Sequence, residues 1–296
     1  MSHEALFLVN AQSGRVRAEG AEAIEADLRG ALPDGTQARF VTGDVPDLLA
    51  ALEGAAPDIV ATVGGDGTIG AVAGALAGRA DPPRFVPLPY GTANLIPRDI
   101  GMPLEPLDAL AAALRAPVRR IDYATANDAP LLHSAVFGTF AEVAEDREEL
   151  REAEGFGQRL GALASAANKL LSAEPQRYHL VIDGEPLDAV TNTVFVTNNA
   201  ITGGERGVPQ RDRLDAGHLV AYVSDSHGPL GFVRRIIEAG TVGFDGSDGI
   251  VRHVCREARV SADDPLHYSR DGEVEGAESV TFRIQPGALA VPDLRG

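Results

Sequence analysis

Ala61-Thr-Val-Gly-Gly-Asp-Gly-Thr-Ile-Gly70 decides how this chain is read. Before the glycines, Ile59, Val60, Ala61 and Val63 have the composition of a short buried strand. After them, residues 69–77 (IGAVAGALA) predict a helix built of small side chains. Strand, glycine turn and helix start together present backbone N–H groups to a phosphate. Glycines permit positive φ and let an anion come close to the backbone. Asp66 is the unusual member, because a carboxylate beside a phosphate repels it unless a cation lies between. It therefore points to bound magnesium or to a proton acceptor. An ordinary Gly/Asp turn has the same sequence, and one short motif does not exclude it.

Working outward, Leu88-Pro-Tyr-Gly-Thr-Ala-Asn-Leu-Ile-Pro-Arg98 follows a further apolar piece, residues 85–88. Other markers appear in order: Asn10-Ala-Gln-Ser-Gly-Arg15, Ile121-Asp122, Phe137-Gly-Thr-Phe140, Thr202-Gly-Gly204, Asp212-x-x-Asp215-Ala-Gly217 and Asp271-Gly-Glu273. With GGDGT followed by P-x-GTAN, the chain resembles the diacylglycerol kinase catalytic family. That family includes sphingosine-type and bacterial soluble lipid kinases and is distantly related to NAD kinases and phosphofructokinases. The resemblance runs over nearly the whole chain. Asn10-Ala11 stands where the family has Asn-Pro, Leu95 follows GTAN where a polar residue is common, and Pro97 falls where that segment continues as a helix.

Composition sets the outer bounds. The 296 residues exceed the usual single-domain size and can build two cores. A formal charge of −17 argues against nucleic acid as a partner and against tight docking on anionic membranes. The lone cysteine, Cys255, excludes an internal disulfide and a multi-cysteine zinc site. No long apolar run and no basic, apolar leader are present, which predicts a cytoplasmic protein, peripheral at a membrane at most. Lys169 is the only lysine, and no Walker or protein-kinase context surrounds it. Phosphate transfer here would use backbone amides, arginines and metal.

Taken in order, residues 5–10 predict a strand and 18–32 a helix with Ile24, Leu28 and Leu32 on one face. A second strand covers 37–41, and Thr42-Gly-Asp44 caps a helix over 45–52. Alternation continues through the glycine turn, strand 85–88 and helix 106–114, which predicts parallel βαβ units. The turns at Asn10, Thr42, Gly64 and Gly91 all follow strands, so they should share one sheet edge, where ligands bind in such folds. From about Asp122 the pieces are mostly strands: 131–137, 177–182, 189–197, 218–223, 251–260 and 280–284. Helices are expected over 142–152, 157–171 and 230–239. The fold class expected is therefore an α/β domain with a parallel sheet over residues 1–122, related to NAD and diacylglycerol kinases. A mainly antiparallel β-sandwich over 123–285 follows, and 286–296 return to the first domain, as the resemblance implies.

The resemblance implies an ATP-dependent lipid kinase acting on a hydroxyl of diacylglycerol or a related lipid, in phospholipid metabolism, with ATP and magnesium. Its nucleotide residues would be Asn10, Arg15, Thr42, Gly64, Gly65, Gly67, Thr68, Gly91 and Thr92. Metal would fall to Asp66 and Asp122, and a second, structural cation to Asp212 and Asp215. Glu273 would be the proton acceptor, with Asp271 orienting it; a magnesium-bound Asp66 competes for that role. Bland readings stand beside each. Asn10 to Arg15 can be a plain loop, Thr42 a helix cap, Asp122 a strand end, Asp271-Gly272 a hairpin turn, and Asp212/Asp215 a salt-bridged turn with Arg211 and Arg213. His133, His179, His218, His227, His253 and His267, six of the seven histidines, show no metal spacing. A lipid at a membrane surface is the expected partner, and a homodimer is left open. An NAD kinase and a non-catalytic nucleotide-binding module are the alternatives; the Asn-Glu pair usual in NAD kinases is absent here.

Overall fold

In the computed structural model, the described residues are 4–138, 174–205, 208–211, 213–224 and 249–295. The helices expected over 142–152, 157–171 and 230–239, together with Lys169 and Asp212, lie outside them. The chain divides into two units, residues 1–123 with 285–296, and residues 124–284.

In the first unit the strands β1 (Glu4–Asn10), β2 (Gln37–Gly43), β3 (Ile59–Gly64) and β4 (Arg84–Pro89) are parallel, in the order β2-β1-β3-β4. β3 is buried along its whole length, which explains its unbroken apolar run. Helices α1 (Gly14–Glu19), α2 (Ala21–Gly30), α3 (Val45–Leu52), α4 (Asp66–Ala77), α5 (Leu95–Asp99) and α6 (Pro106–Arg115) fill the connections. The single helix expected over 18–32 is thus two, parted at Gly20, whose φ of 89° breaks the helical path. α3 starts where expected, and Asp44 forms a reciprocal capping box with Asp47. Pro97 does not prevent α5, because a proline in the first turn gives up an N–H that has no helical partner there. β5 (Val118–Ala126) leads out of the unit, and the chain's end returns to it. Ala290 pairs with Arg84 of β4, and Asp293 N–H donates to Pro117 O at 2.8 Å.

The second unit is antiparallel. Its strands are β6 (Ala129–Leu131), β7 (Ser134–Gly138), β8 (Gln176–Ile182), β9 (Glu185–Thr191) and β10 (Thr193–Asn198), then β11 (Gly203–Glu205), β12 (Val208–Gln210) and β13 (Leu219–Ser224). β14 (Ile250–Cys255), β15 (Glu257–Arg270) and β16 (Glu273–Pro292) complete it. The order is β14-β13-β10-β7-β15-β16, with the β8–β9 hairpin along the first half of β15. Phe137, Tyr178, Val194, Val196, Leu219, Ala258, Val260, Tyr268 and Phe282 make the core, with Phe137 stacked on Tyr268 at 5.1 Å between centroids.

Three expected strands are interrupted here for side-chain reasons. The 131–137 run breaks because the N–H groups of Leu132, His133 and Ser134 turn to the Asp271 carboxylate. The 251–260 run breaks at Arg256, where Asp183 Oδ1 takes the N–H groups of Arg256 and Glu257, each at 2.9 Å. The 189–197 run breaks at Asn192, where the Thr191 hydroxyl takes over local backbone bonding with Thr193. In the other direction, 280–284 is only part of the twenty-residue β16, whose polar alternation and Pro286-Gly287 hide it from an apolar pattern.

Candidate active site

The parallel order places the carboxyl ends of β2, β1, β3 and β4 on one edge of the first unit, with Asn10 opposite Gly43 and Gly64 opposite Pro89. At that edge α4 opens with its N-cap at Gly65. Its first internal bond runs from Ile69 N–H to Gly65 O at 3.0 Å, so the N–H groups of Asp66, Gly67 and Thr68 have no acceptor within the helix. N–H groups left over by the helix's own bonding, at the start of a twelve-residue helix, suit an anion.

The two sequence motifs are physically joined. Asp66 Oδ2 accepts Asn94 N–H at 3.0 Å, and Oδ1 accepts Leu95 N–H at 2.8 Å. Asn94 sits in the left-handed region at φ 51°, which asparagine tolerates, and its Oδ1 accepts Gly91 N–H at 2.9 Å. Gly91 is needed for approach: a Cβ there would lie 2.9 Å from Gly65 Cα and 3.0 Å from Asn94 Oδ1. GGDG and GTAN thus form one cradle, with Asp66 as its clasp. Thr92 lies exposed on the rim of its second loop.

Asn10 closes the cradle toward β1. Its Nδ2 donates to Thr68 Oγ1 at 2.7 Å, and its Oδ1 accepts Gln12 N–H at 2.9 Å; both Asn10 and Thr68 are buried. Their side chains hold the cradle, while their backbone faces the edge. Arg15 lies over the Tyr90 ring at 5.1 Å and pairs with Glu19 at 2.6 Å. The hydrogen bond to Glu19 outweighs partial burial and raises the guanidinium above its ordinary value, so it stays charged. Burial pushes the Tyr90 phenol up to about 12, which keeps that ring neutral. Thr42 is exposed near the end of β2.

Asp122 is buried, with Oδ1 accepting Gly287 N–H at 2.9 Å, so it ties β5 to the returning segment. Among the described residues no group of three or more His, Cys, Asp or Glu side chains could hold a metal. Asp66 offers a carboxylate whose two oxygens each accept a backbone N–H, and a carboxylate oxygen has more than one lone pair. That donor set fits a magnesium ion delivered on nucleotide phosphates, which takes one or two carboxylates and completes its shell with phosphate and water. It does not fit a cation caged by protein alone. Asp215 is exposed and pairs with Arg213 at 3.1 Å, as in a salt-bridged turn.

In the second unit, Asp271 and Gly272 make the β15–β16 turn with φ of 50° and 97°, the pattern of a two-residue hairpin with the twist of its strands. The Asp271 carboxylate accepts three backbone N–H groups. Oδ2 accepts Leu132 N–H at 2.7 Å, and Oδ1 accepts the N–H groups of His133 and Ser134, each at 2.9 Å. Glu273 follows the turn, exposed, its side chain without a hydrogen-bond or ion-pair partner among the described residues. Of the histidines, His179 sits between Asp188 and Asp263 at 2.8 and 3.1 Å, and these bonds raise its imidazole above the ordinary value. Burial pushes the Cys255 thiol up to about 12, which leaves it an inert core side chain.

Sequence reasoning missed Asn94 as a structural member of the cradle, although GTAN was in view. The signal is an asparagine closing a Gly-x-x-Asn turn. It also missed Tyr90 under Arg15 and the Tyr268–Arg270–Glu275 cluster, for which no short motif exists.

A cradle of backbone amides at the carboxyl edge of a parallel sheet, followed by an antiparallel sandwich, defines a nucleotide-phosphate-binding class of two-unit protein. Residues 4–126 match the family described as "Diacylglycerol kinase catalytic domain", and residues 135–292 match "YegS C-terminal NAD kinase beta sandwich-like domain". A "Probable lipid kinase YegS-like" of Pseudomonas putida is 28% identical over 281 residues, covering 91% of each chain. Another of that name, from Chromohalobacter salexigens, is 38% identical over 233 residues, covering 77% of this chain and 73% of its own. The fold resembles the crystal structure of a diacylglycerol kinase from Bacillus anthracis strain Sterne. The TM-score is 0.74 at 20% identity, covering 98% of this chain and 96% of that one. The chain belongs to the diacylglycerol kinase catalytic family, and its fold and family signature are those of a kinase.

Proposed function

We propose that the protein is a lipid kinase that transfers the γ-phosphate of ATP to a hydroxyl of diacylglycerol or a related lipid, met transiently at a membrane surface. The carrying observation is the clasp. Asp66 binds Asn94 and Leu95 N–H and so holds two phosphate-type loops together at the start of α4. Family membership and the names of the relatives support the lipid as acceptor.

In this reading the amides of Asp66, Gly67 and Thr68 bind and orient the nucleotide phosphates, with the turns at Gly64-Gly65 and Gly91-Thr92 shaping the approach. Arg15 supplies a fixed positive charge at the rim beside Tyr90. Magnesium, when bound with the nucleotide, would be held by Asp66 and would neutralise charge developing on the phosphates. Glu273, exposed after the hairpin turn, accepts the proton of the attacking lipid hydroxyl. The new bond joins that oxygen to the γ-phosphorus, the bond from γ-phosphorus to the β-bridging oxygen breaks, and ADP departs. Asp271 fixes the hairpin that presents Glu273.

The test is a radiolabelled ATP assay with magnesium against a panel of detergent-dispersed lipids, with NAD as a further acceptor. Labelled phospholipid is the expected product. Labelled NADP with no lipid product under any dispersion would overturn the reading in favour of an NAD kinase. No product with any acceptor, despite ATP binding, would leave only a nucleotide-binding module.

A further inference from the structure

Glu273 is not alone on its face of the β15–β16 hairpin. Register pairs Arg270 with Glu273 and Tyr268 with Glu275, so these four side chains share one face. A guanidinium directly across from an exposed carboxylate is the arrangement that makes a cross-strand salt bridge. It does not form here. Arg270 Nε donates to Glu275 Oε1 at 2.9 Å, Nη2 donates to the same oxygen, and Nη1 donates to Pro130 O at 2.6 Å. Glu275 Oε2 is in turn held by the Tyr268 hydroxyl at 2.5 Å. The fork is spent diagonally, and the proton acceptor is left without it.

We propose that Glu275, braced by Tyr268, is a positioning residue for phosphoryl transfer: it holds Arg270 away from Glu273 and so preserves Glu273 as a base. The inference rests on the reading of Glu273 as the proton acceptor. An ion pair with Arg270 would stabilise the Glu273 carboxylate, weaken it as a base and occupy the oxygen that must meet the hydroxyl. The surrounding groups favour the diagonal pairing. Arg270 and Glu275 are largely buried, with side-chain exposures of 16% and 30%. Burial by itself would raise the Glu275 carboxyl, but the bonds from Arg270 and Tyr268, with the charge of Arg270, outweigh it and hold it below the ordinary value. Among the described residues, the other titratable or charged groups near this end of the hairpin are Asp271, spent on three backbone N–H groups, His133, whose Nδ1 faces Ser134 Oγ at 3.0 Å, and buried Arg211, whose Nη1 donates to Leu132 O at 2.8 Å. β7 brings no charged residue to this end.

The experiment measures kcat, KM and the pH profile of kcat/KM on the full chain, with ATP, magnesium and detergent-dispersed diacylglycerol. Glu275→Gln releases Arg270 toward Glu273. It should lower kcat about tenfold, leave KM for ATP unchanged and move the acid limb of the profile lower by about one pH unit. Removing the cation as well, in Arg270→Gln/Glu275→Gln, should return the limb to its wild-type position and recover part of the rate. Should Glu275→Gln fail to fold, Tyr268→Phe loosens the same brace while keeping every charge, and a smaller shift in the same direction is expected. A wild-type profile in the folded single variant, or a double variant slower than the single with no return of the limb, overturns the inference. Glu273→Gln, assayed in parallel, separates the two levels. If it keeps the wild-type rate, the assignment of Glu273 as base falls and the inference with it. If it is inactive while Glu275→Gln behaves as wild type, only the inference falls.

Discussion

Asp66 has one duty in the fold and a second in the proposed mechanism, and a substitution can separate them. Its carboxylate is a mechanical clasp between the loops, and it is the one carboxylate in the cradle suited to a magnesium–nucleotide complex. Asp66→Asn keeps one carbonyl oxygen but exchanges two charge-assisted bonds for at most one neutral one. The expected loss of stability is about 1–2 kcal/mol, read from denaturant midpoints. Activity should fall far further, on the order of a thousandfold, or about 4 kcal/mol of barrier. A folded variant within about tenfold of wild type would reduce Asp66 to the clasp alone. Sequence suggested the proposed chemical duty, which the activity of Asp66→Asn tests, since a carboxylate in a phosphate turn calls for a cation. It could not show the mechanical one, because the donors lie on Asn94 and Leu95, on the far side of an intervening strand. Asp122 shows the reverse. An acidic position expected to serve metal is engaged with Gly287 N–H, from a segment the chain reaches only at its end.

At the scale of elements, the β15–β16 hairpin is the test piece, since a single turn residue fastens it to the 132–134 loop. Asp271→Ala removes the acceptor of three backbone N–H groups and puts alanine at φ 50°, so it should cost about 2–4 kcal/mol and lower the melting temperature. A loss under about 1 kcal/mol would mean that water replaces the carboxylate without strain. Glu275 adds a pH signature. Its folded value lies below the unfolded one, so its contribution is present above about pH 4.5 and is lost as pH falls through the folded value. The stability gap between wild type and Glu275→Gln should therefore be full near neutrality and close in acid. A gap independent of pH would show that lost packing, not ionisation, is the cause. Elements with strong local signals were legible from sequence: α3 with its capped start, and the buried strand β3 before its glycines. The breaks at Leu132, Asn192 and Arg256 were not. At Leu132 and Arg256 the backbone is diverted by a carboxylate distant in sequence, and at Asn192 by a neighbouring hydroxyl, without any change in apolar pattern. β16 was undervalued because a strand can continue through Pro286-Gly287 when its neighbours permit.

At the scale of the whole molecule, charge and proposed substrate pull in opposite directions. The chain carries −17, yet a lipid acceptor lives in a bilayer that is often anionic. Among the described residues no helix is long and apolar enough to cross a membrane. The large apolar side chains they expose, such as Leu104, Leu107, Val251 and Val254, are scattered over several elements. Nothing in this inventory supplies strong attraction, so contact with the bilayer should be brief, and weakest where charge repulsion is least screened. Co-sedimentation with neutral and with anionic vesicles, at about 0.01 M and about 0.15 M salt, reads this directly, because the screening length falls from about 30 Å to about 8 Å across that range. The expected pattern is weak binding throughout, weaker still on anionic vesicles at low salt and rising as salt is added. Kinase activity should nevertheless be plain on detergent-dispersed lipid, where no charged surface has to be approached. Tight binding to anionic vesicles that salt abolishes would show instead that a local cluster of arginines, and not the net charge, governs how the protein meets its acceptor.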